Sequence, residues 1–242
     1  MSPLNDDNGA RDRQSTEQVY ERVRNAILDG ELAAGSVMSQ VSLASDLGIS
    51  RTPLREALRM LQAERLIESE PNRRVRVAAV SARDLEELCI IRVTLEAQAI
   101  RLAVPLMTPE DLGRLEGFMG EMAHFAEAKD YRRWVIPHRE FHRLLTMRSG
   151  QRLSDLLMQL FDHAERYRRL HIGYGPSAWA TAGHREIFEA CKAGAGDSAA
   201  SLLASHLART AFEAAELLQP GYDPQQLRTT LADVGASAPV RR

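Results

Sequence analysis

Apolar side chains recur at helical spacing through most of the chain. Val19, Val23 and Ile27 stand four residues apart after Ser15, and Gly30 closes that stretch. Three short segments follow, up to about Val80. The pattern then lengthens: Leu85, Leu88, Cys89, Leu95 and Ala99 open a long amphipathic helix, and helical periodicity continues to about Leu218. Pro105, Pro109, Pro137 and Pro176, with Gly194 and Gly196, punctuate it. Only "RRVRVAAV" alternates like a strand. Residues 1–14 read as a disordered arm, and 221–242, in "PGYDPQQLRTTLADVGASAPVRR", as a loose tail. The pattern predicts a mainly α chain. A small N-terminal module at 15–80 precedes an all-helical antiparallel bundle at 81–220, with the boundary near Val80–Ser81.

The module carries a sharper signal in "VSLASDLGISRTPLREALRMLQAERLIESEPNRRVRV". A short helix ends at Gly48, "GIS" supplies a tight turn, and a second helix opens at Ser50–Pro53 with capping hydroxyls and a first-turn proline. Leu54, Ala57, Leu58 and Leu61 form one buried stripe, while Arg51, Arg55 and Arg59 recur every four residues on the outer side. This is the layout of a helix-turn-helix whose second helix lies in a DNA major groove. "PNRRVRVAA" reads as a basic hairpin wing, with Arg73 and Arg74 at phosphate or in the minor groove.

Composition sharpens this picture only locally. Of 242 residues, 44% are hydrophobic and 5% aromatic, which suits helices packed through leucine and alanine. The formal net charge is −2, yet residues 51–76 hold seven arginines against four acids, a local +3. Cys89 and Cys191 form no C-x-x-C and read as buried, reduced thiols. The N-terminus lacks the apolar stretch of a signal peptide, and no run approaches the roughly 18 apolar residues of a membrane span. A cytoplasmic protein is expected.

Candidate chemistry sits in the bundle. "HREFH" places His138 and His142 one helical turn apart, a spacing that can clamp a metal. The acid between them, Glu140, lies about 200° around the helix from His138 and faces away from a shared ion. The P-C-x-x-C partner of the deaminase H-x-E motif is missing. The pair therefore reads as a binding clamp without a catalytic base, and no enzyme activity is expected. His184 and His206 each stand eleven residues from Ala195. In an antiparallel hairpin turning at Ala195, both would sit roughly 16 Å from the turn, level with each other. Imidazole ligands suit zinc, nickel, copper or iron over magnesium or calcium. Arg92 lies on the buried stripe of Leu85, Leu88, Leu95 and Ala99, where a guanidinium needs a partner. That partner is either Glu96, one turn on, or the carboxylate of a ligand. "ERYRRLH", with Arg166, Arg168 and Arg169, can add pocket or surface charge and reads mostly as a solvated face.

"LGISRTPLREALRMLQAERLI" followed by "PNRRVRV" resembles the winged helix-turn-helix of GntR-type bacterial transcription regulators. "IRVTLEAQAIRLA", "HREFHRLLTMRSGQRL" and "HREIFEACKAGAGDSAASLLASHL" resemble the helical effector domain of its FadR branch, called FCD. The resemblance implies base contacts from Arg51 and Arg55, with Ser50 and Thr52 on the DNA backbone. It implies a divalent ion, zinc first and nickel second, on His138, His142, His184 and His206. Arg92 would meet a small carboxylate effector beside that ion. It also implies a homodimer on a palindromic double-stranded operator, repression by default, and no membrane. Here His138 stands where many members have Asp or Asn, Arg65 and Arg74 replace usual glycines, and Val41 replaces a basic residue of some members. Two other readings stay open: a regulator for which the metal itself is the signal, and a helical-bundle metalloenzyme with an accessory DNA module.

Overall fold

The computed structural model describes residues 15–72, 74–172 and 183–238, with side chains up to 168 in the helix ending at Ile172. The expected arm at 1–14, Arg73, Arg169 as a side chain, and Pro176 fall outside them. The chain divides into two compact units, one ending at Ala79 and one beginning at Val80.

The first unit runs α1 (Thr16–Leu28), β1 (Val37–Ser39), α2 (Gln40–Asp46), α3 (Arg51–Ala63), β2 (Ile67–Glu70) and β3 (Arg74–Val77). A capping box starts α1: the Gln18 amide donates to the Ser15 hydroxyl, and the Ser15 amide donates to the Gln18 side chain. Val19 and Val23 pack with Leu54, Ala57, Leu58 and Leu61 of α3, all buried as their spacing predicts. Strand β3 is the centre of a three-stranded antiparallel sheet ordered β1-β3-β2, with Val75 opposite both Met38 and Ser69. Val75 and Val77 point into the core while Arg74 faces solvent. β1 and β2 escape the sequence pattern because three and four residues hardly display a period of two.

Two backbone positions correct the expected wing. Arg65 holds φ +58°, the left-handed conformation that glycine adopts at little cost, so the arginine keeps the turn without the glycine. At the wing tip the left-handed residue is Asn72, at φ +60°, while Arg74 already lies in β3 opposite Ser39 and Glu70. Asparagine tolerates that region, so Arg74 needs no glycine-like freedom.

The second unit is α4 (Ala82–Ala103), α5 (Pro109–Glu127), α6 (Tyr131–Thr146), α7 (Gln151–Ile172), α8 (His184–Lys192), α9 (Gly196–Leu218) and α10 (Gln225–Asp233). The long central helices α4 and α9 pack along each other, Val93, Ala97 and Ile100 against the alanine-rich face of α9. Pro109 opens α5, where its missing N–H is harmless. Pro137 does not punctuate: α6 runs through it. An interior proline costs about 3 kcal/mol, and α6 offsets this by burying Trp134, Phe141, Leu144 and Leu145.

The expected loose tail is a correction too. Residues 225–233 form α10, whose Leu227 and Leu231 are fully buried. Its first turn is capped from α4: the amides of Gln226 and Leu227 donate to Glu86 Oε1 at 2.9 and 3.1 Å, and the Tyr222 hydroxyl donates to Oε2. Asp223, Gln225 and Gln226 before Leu227 and only two core leucines left too weak a period to read. Leu227→Ala should destabilise the protein by about 2–5 kcal/mol in urea denaturation. A cost below about 0.5 kcal/mol would mean that α10 packs loosely.

Candidate functional site

In the first unit, α3 presents Arg51, Thr52 and Arg55 to solvent at its N-terminal end, with Arg55 59% exposed in its side chain. Ser50 occupies the N-cap by backbone conformation, yet its hydroxyl makes no capping hydrogen bond. Two of the local arginines are already engaged within the unit. Arg59 Nη1 donates to Glu56 at 3.0 Å. Arg76 donates to Glu70 Oε1 at 2.7 Å and to the Gly35 carbonyl, bracing β1 and the wing. Among the described residues, Arg51, Arg55, Arg65 and Arg74 are also exposed, with Arg55 Nε 3.7 Å from Glu56 Oε1.

In the second unit, α6 carries His138 and His142 on one face, α8 begins at His184, and α9 carries His206. His184 and His206 meet across the α8–α9 hairpin with ring centroids 4.4 Å apart. His138 and His142 lie 4.6 Å apart, His138 and His184 5.2 Å, and His142 and His206 5.5 Å. The first three are buried and His206 is half-buried. Gly183 makes the approach feasible. It holds φ +96° as the N-cap of α8, and a Cβ there would stand 3.0 Å from His206 Nδ1. Nothing in the sequence distinguished that glycine from an ordinary helix start.

Two observations test whether these residues fit a cation. One ligand atom from each histidine can be chosen so that all lie within 4.8 Å of one another. Four tetrahedral ligands about 2.0–2.1 Å from one zinc stand about 3.3–3.4 Å apart, so the ligand atoms would close by up to about 1.4 Å around an ion. In addition, both ring nitrogens of His142 and Nδ1 of His138 are buried without a hydrogen-bond partner. Such orphaned groups cost about 1–3 kcal/mol each, a cost that coordination would remove. The donor set and its orphaned nitrogens fit a divalent ion of imidazole preference.

Burial holds the rings of His138, His142 and His206 well below the usual histidine range, and neighbouring imidazoles and guanidiniums add to it. Neutral imidazole is the form that ligates. The same depression sets a pH dependence for ion-free protein. Below about pH 6.5 the unfolded chain takes up protons that the folded rings refuse, so stability falls with pH by about 1.4 kcal/mol per pH unit for each such histidine. Glu96 acts in the opposite sense, because burial pushes its carboxyl up against the pull of Arg92. Three groups outweigh one. Chelator-treated protein should melt at lower temperature at pH 5.5 than at pH 7.5, and equal melting at both would contradict the buried, neutral cluster.

Arg92 is buried and its Nε donates to Glu96 Oε1 at 2.7 Å; Glu96 Oε2 in turn lies 4.0 Å from His142 Nδ1. Of the two partners left open by the sequence, the internal pair is thus made, while Arg92 Nη2 stays buried without a hydrogen bond. Beside the rings lies a cavity of about 50 Å³ walled by Arg92, His138, His142, Phe161, Arg168 and His206. That is room for several waters or a small acid. Glu140 is absent from its wall and accepts from Arg143 Nε at 2.9 Å, facing away as the helix geometry predicts. Of the arginines in "ERYRRLH", Arg168 takes the pocket alternative rather than the solvated face: it is buried in the cavity wall, over the Trp134 ring at 4.7 Å. The carboxylate three residues earlier, Glu165, was the readable sign of a shielded pair.

The first unit has the form of a winged-helix DNA-binding head, and the second that of a helical bundle with an internal polar pocket. Residues 15–77 match the family described as "Bacterial regulatory proteins, gntR family", and residues 87–209 match the FCD domain. The chain belongs to the GntR family and is a transcriptional regulator with an FCD effector domain. It is 29% identical over 178 residues to the HTH-type regulator YdhC of Bacillus subtilis, covering 72% of this chain and 80% of that one. It is 31% identical over 193 residues to a probable D-xylose utilization operon transcriptional repressor of Paenarthrobacter nicotinovorans, covering 79% and 84%. The solved structure of E. coli McbR/YncC superposes with a TM-score of 0.71 at 26% identity, covering 86% of this chain and 98% of that one. Among the described residues, no helix is long and apolar enough to cross a membrane.

Proposed function

We propose that this regulator is a metabolite-responsive repressor. His138, His142, His184 and His206 hold one divalent ion, zinc first and nickel second, and Arg92 receives the carboxylate of a small effector beside it. The observation that carries this reading is the convergence of four imidazoles, with orphaned nitrogens on His138 and His142, beside a cavity that three of them line and that also presents an unsatisfied guanidinium N–H. When bound, the ion would supply a fixed positive charge and an open coordination position for an anionic oxygen. The residues around it bury the imidazoles, keep His138, His142 and His206 neutral, and orient the guanidinium. Glu96 positions two partners at once, bonding Arg92 and standing next to His142. Glu140 of α6 is turned away from the rings, and the acids nearest them, Glu96 and Glu165, are bound to Arg92 and Arg168, which favours binding over turnover.

On DNA, Arg51 and Arg55 read base edges in the major groove, Ser50 and Thr52 hold the backbone, and Arg73 and Arg74 follow the wing. Two copies on a palindrome give the two-fold symmetry such sites have. Repression is supported by the relative named as a xylose-operon repressor. Arg55→Ala should cost about 1–3 kcal/mol on the preferred operator and relax sequence preference at one position per half-site. Equal loss on every sequence would place Arg55 on phosphate only. The direct test of the whole reading is fluorescence anisotropy on an operator fragment, with zinc-loaded and chelator-stripped protein and a panel of small carboxylates. Release of DNA by a carboxylate only from zinc-loaded protein is expected. Equal release from both forms would overturn it, and a response to zinc without any carboxylate would make the ion the signal.

A further inference from the structure

The cavity beside the histidines is walled by two buried guanidiniums. Arg92 enters from α4 and Arg168 from α7. Each is tied to a carboxylate on its own helix, Arg92 to Glu96 Oε1 at 2.7 Å and Arg168 Nε to Glu165 Oε2 at 3.1 Å. Each nevertheless keeps one buried nitrogen without a hydrogen-bond partner, Nη2 of Arg92 and Nη1 of Arg168. The two approach the imidazoles along different walls. Arg92 lies over the Phe161 ring at 5.3 Å, and Phe161 packs on His142 at 5.3 Å. Arg168 lies over Trp134, whose ring stacks on His138 at 4.4 Å. A planar guanidinium with spare N–H groups matches the fork of a carboxylate.

Charge balance points the same way. The pairs Arg92–Glu96 and Arg168–Glu165 cancel, and neutral imidazoles add nothing. A divalent ion would leave the pocket at 2+. A bound monocarboxylate would still leave positive charge buried, and uncompensated buried charge is costly. A dianion cancels it. We propose that the effector is a short dianion, a dicarboxylate, with one acid group at the histidine centre beside Arg92 and the other received by Arg168. This inference rests on the metal-and-carboxylate reading above, and the cavity of about 50 Å³ favours a short chain.

Calorimetric titration of the full-length, zinc-loaded protein with matched pairs, butyrate against succinate and acetate against malonate, tests it. The dicarboxylate of at least one pair should bind about tenfold more tightly than its monocarboxylate, the scale of one added charge-assisted hydrogen bond. The doubly neutral variant Glu165→Gln/Arg168→Gln avoids stranding a lone buried charge and should bring that ratio to within about twofold. Arg168→Lys keeps the charge without the fork and should retain an intermediate preference. The ratio within one protein is the readout, so a general loss of stability does not imitate the result. If wild type shows no preference, or the preference survives in the double variant, the dianion inference is wrong even though zinc-dependent butyrate binding would leave the metal-and-carboxylate reading intact. If no carboxylate binds the zinc-loaded protein, both fall together.

Discussion

Arg92→Ala should cost the protein about 3–5 kcal/mol of stability, the range found when one partner of a buried ion pair is removed. Arg92 and Glu96 are both buried, and their 2.7 Å contact is the principal compensation for placing two charges inside the bundle. Without the guanidinium, Glu96 must stay charged in an apolar setting or take up a proton, and burial already pushes its carboxyl up. The loss should therefore be largest above neutral pH and smaller in mild acid, where protonation relieves it. Arg92→Met combined with Glu96→Leu removes both charges at similar volume and should recover most of the loss. Urea denaturation at pH 8 and pH 6 reads both effects. A loss below about 1 kcal/mol for Arg92→Ala would mean the pair is solvated rather than internal.

The second large effect concerns the histidines. An ion bound only by the folded protein at a thousand times its dissociation constant adds about 4 kcal/mol of stability. For a unit of this size that corresponds to a melting shift on the order of 10 °C. Zinc added to stripped protein should produce this shift, and chelation should reverse it. His142→Ala should abolish the response, since both of its ring nitrogens are buried without a hydrogen bond. The apo variant should itself be little destabilised relative to apo wild type, because its removal relieves buried unpaired nitrogens while opening a small cavity. An undiminished zinc shift in His142→Ala would place the ion elsewhere.

The sequence reveals those parts of the fold where periodicity is strong. The stripe of Leu54, Ala57, Leu58 and Leu61 and the outward Arg51 and Arg55 could be read directly from spacing. The level placement of His184 and His206 followed from equal distances to Ala195, and the hairpin indeed sets their rings 4.4 Å apart. What escaped was decided by contacts across the chain. Nothing local shows that the first turn of α10 would be capped by Glu86, more than a hundred residues earlier, or that Leu227 and Leu231 would join the core. Arg168 looks like one charge in a polar run until Trp134 and Glu165 close around it. Pro137 illustrates the opposite error, a local rule overridden by the core that α6 buries. Arg65 and Asn72 carry left-handed turns that glycine usually takes, so motif glycines alone would have misjudged the wing.

The central claim is that His138, His142, His184 and His206 serve a single ion, and metal content per chain tests it most directly. Protein purified without chelator from zinc-supplemented cells, analysed by plasma mass spectrometry, should carry close to one equivalent of zinc, and His142→Ala should carry almost none. Metal-free wild type after exposure to zinc and nickel, or a full equivalent retained by the His142 variant, would contradict it.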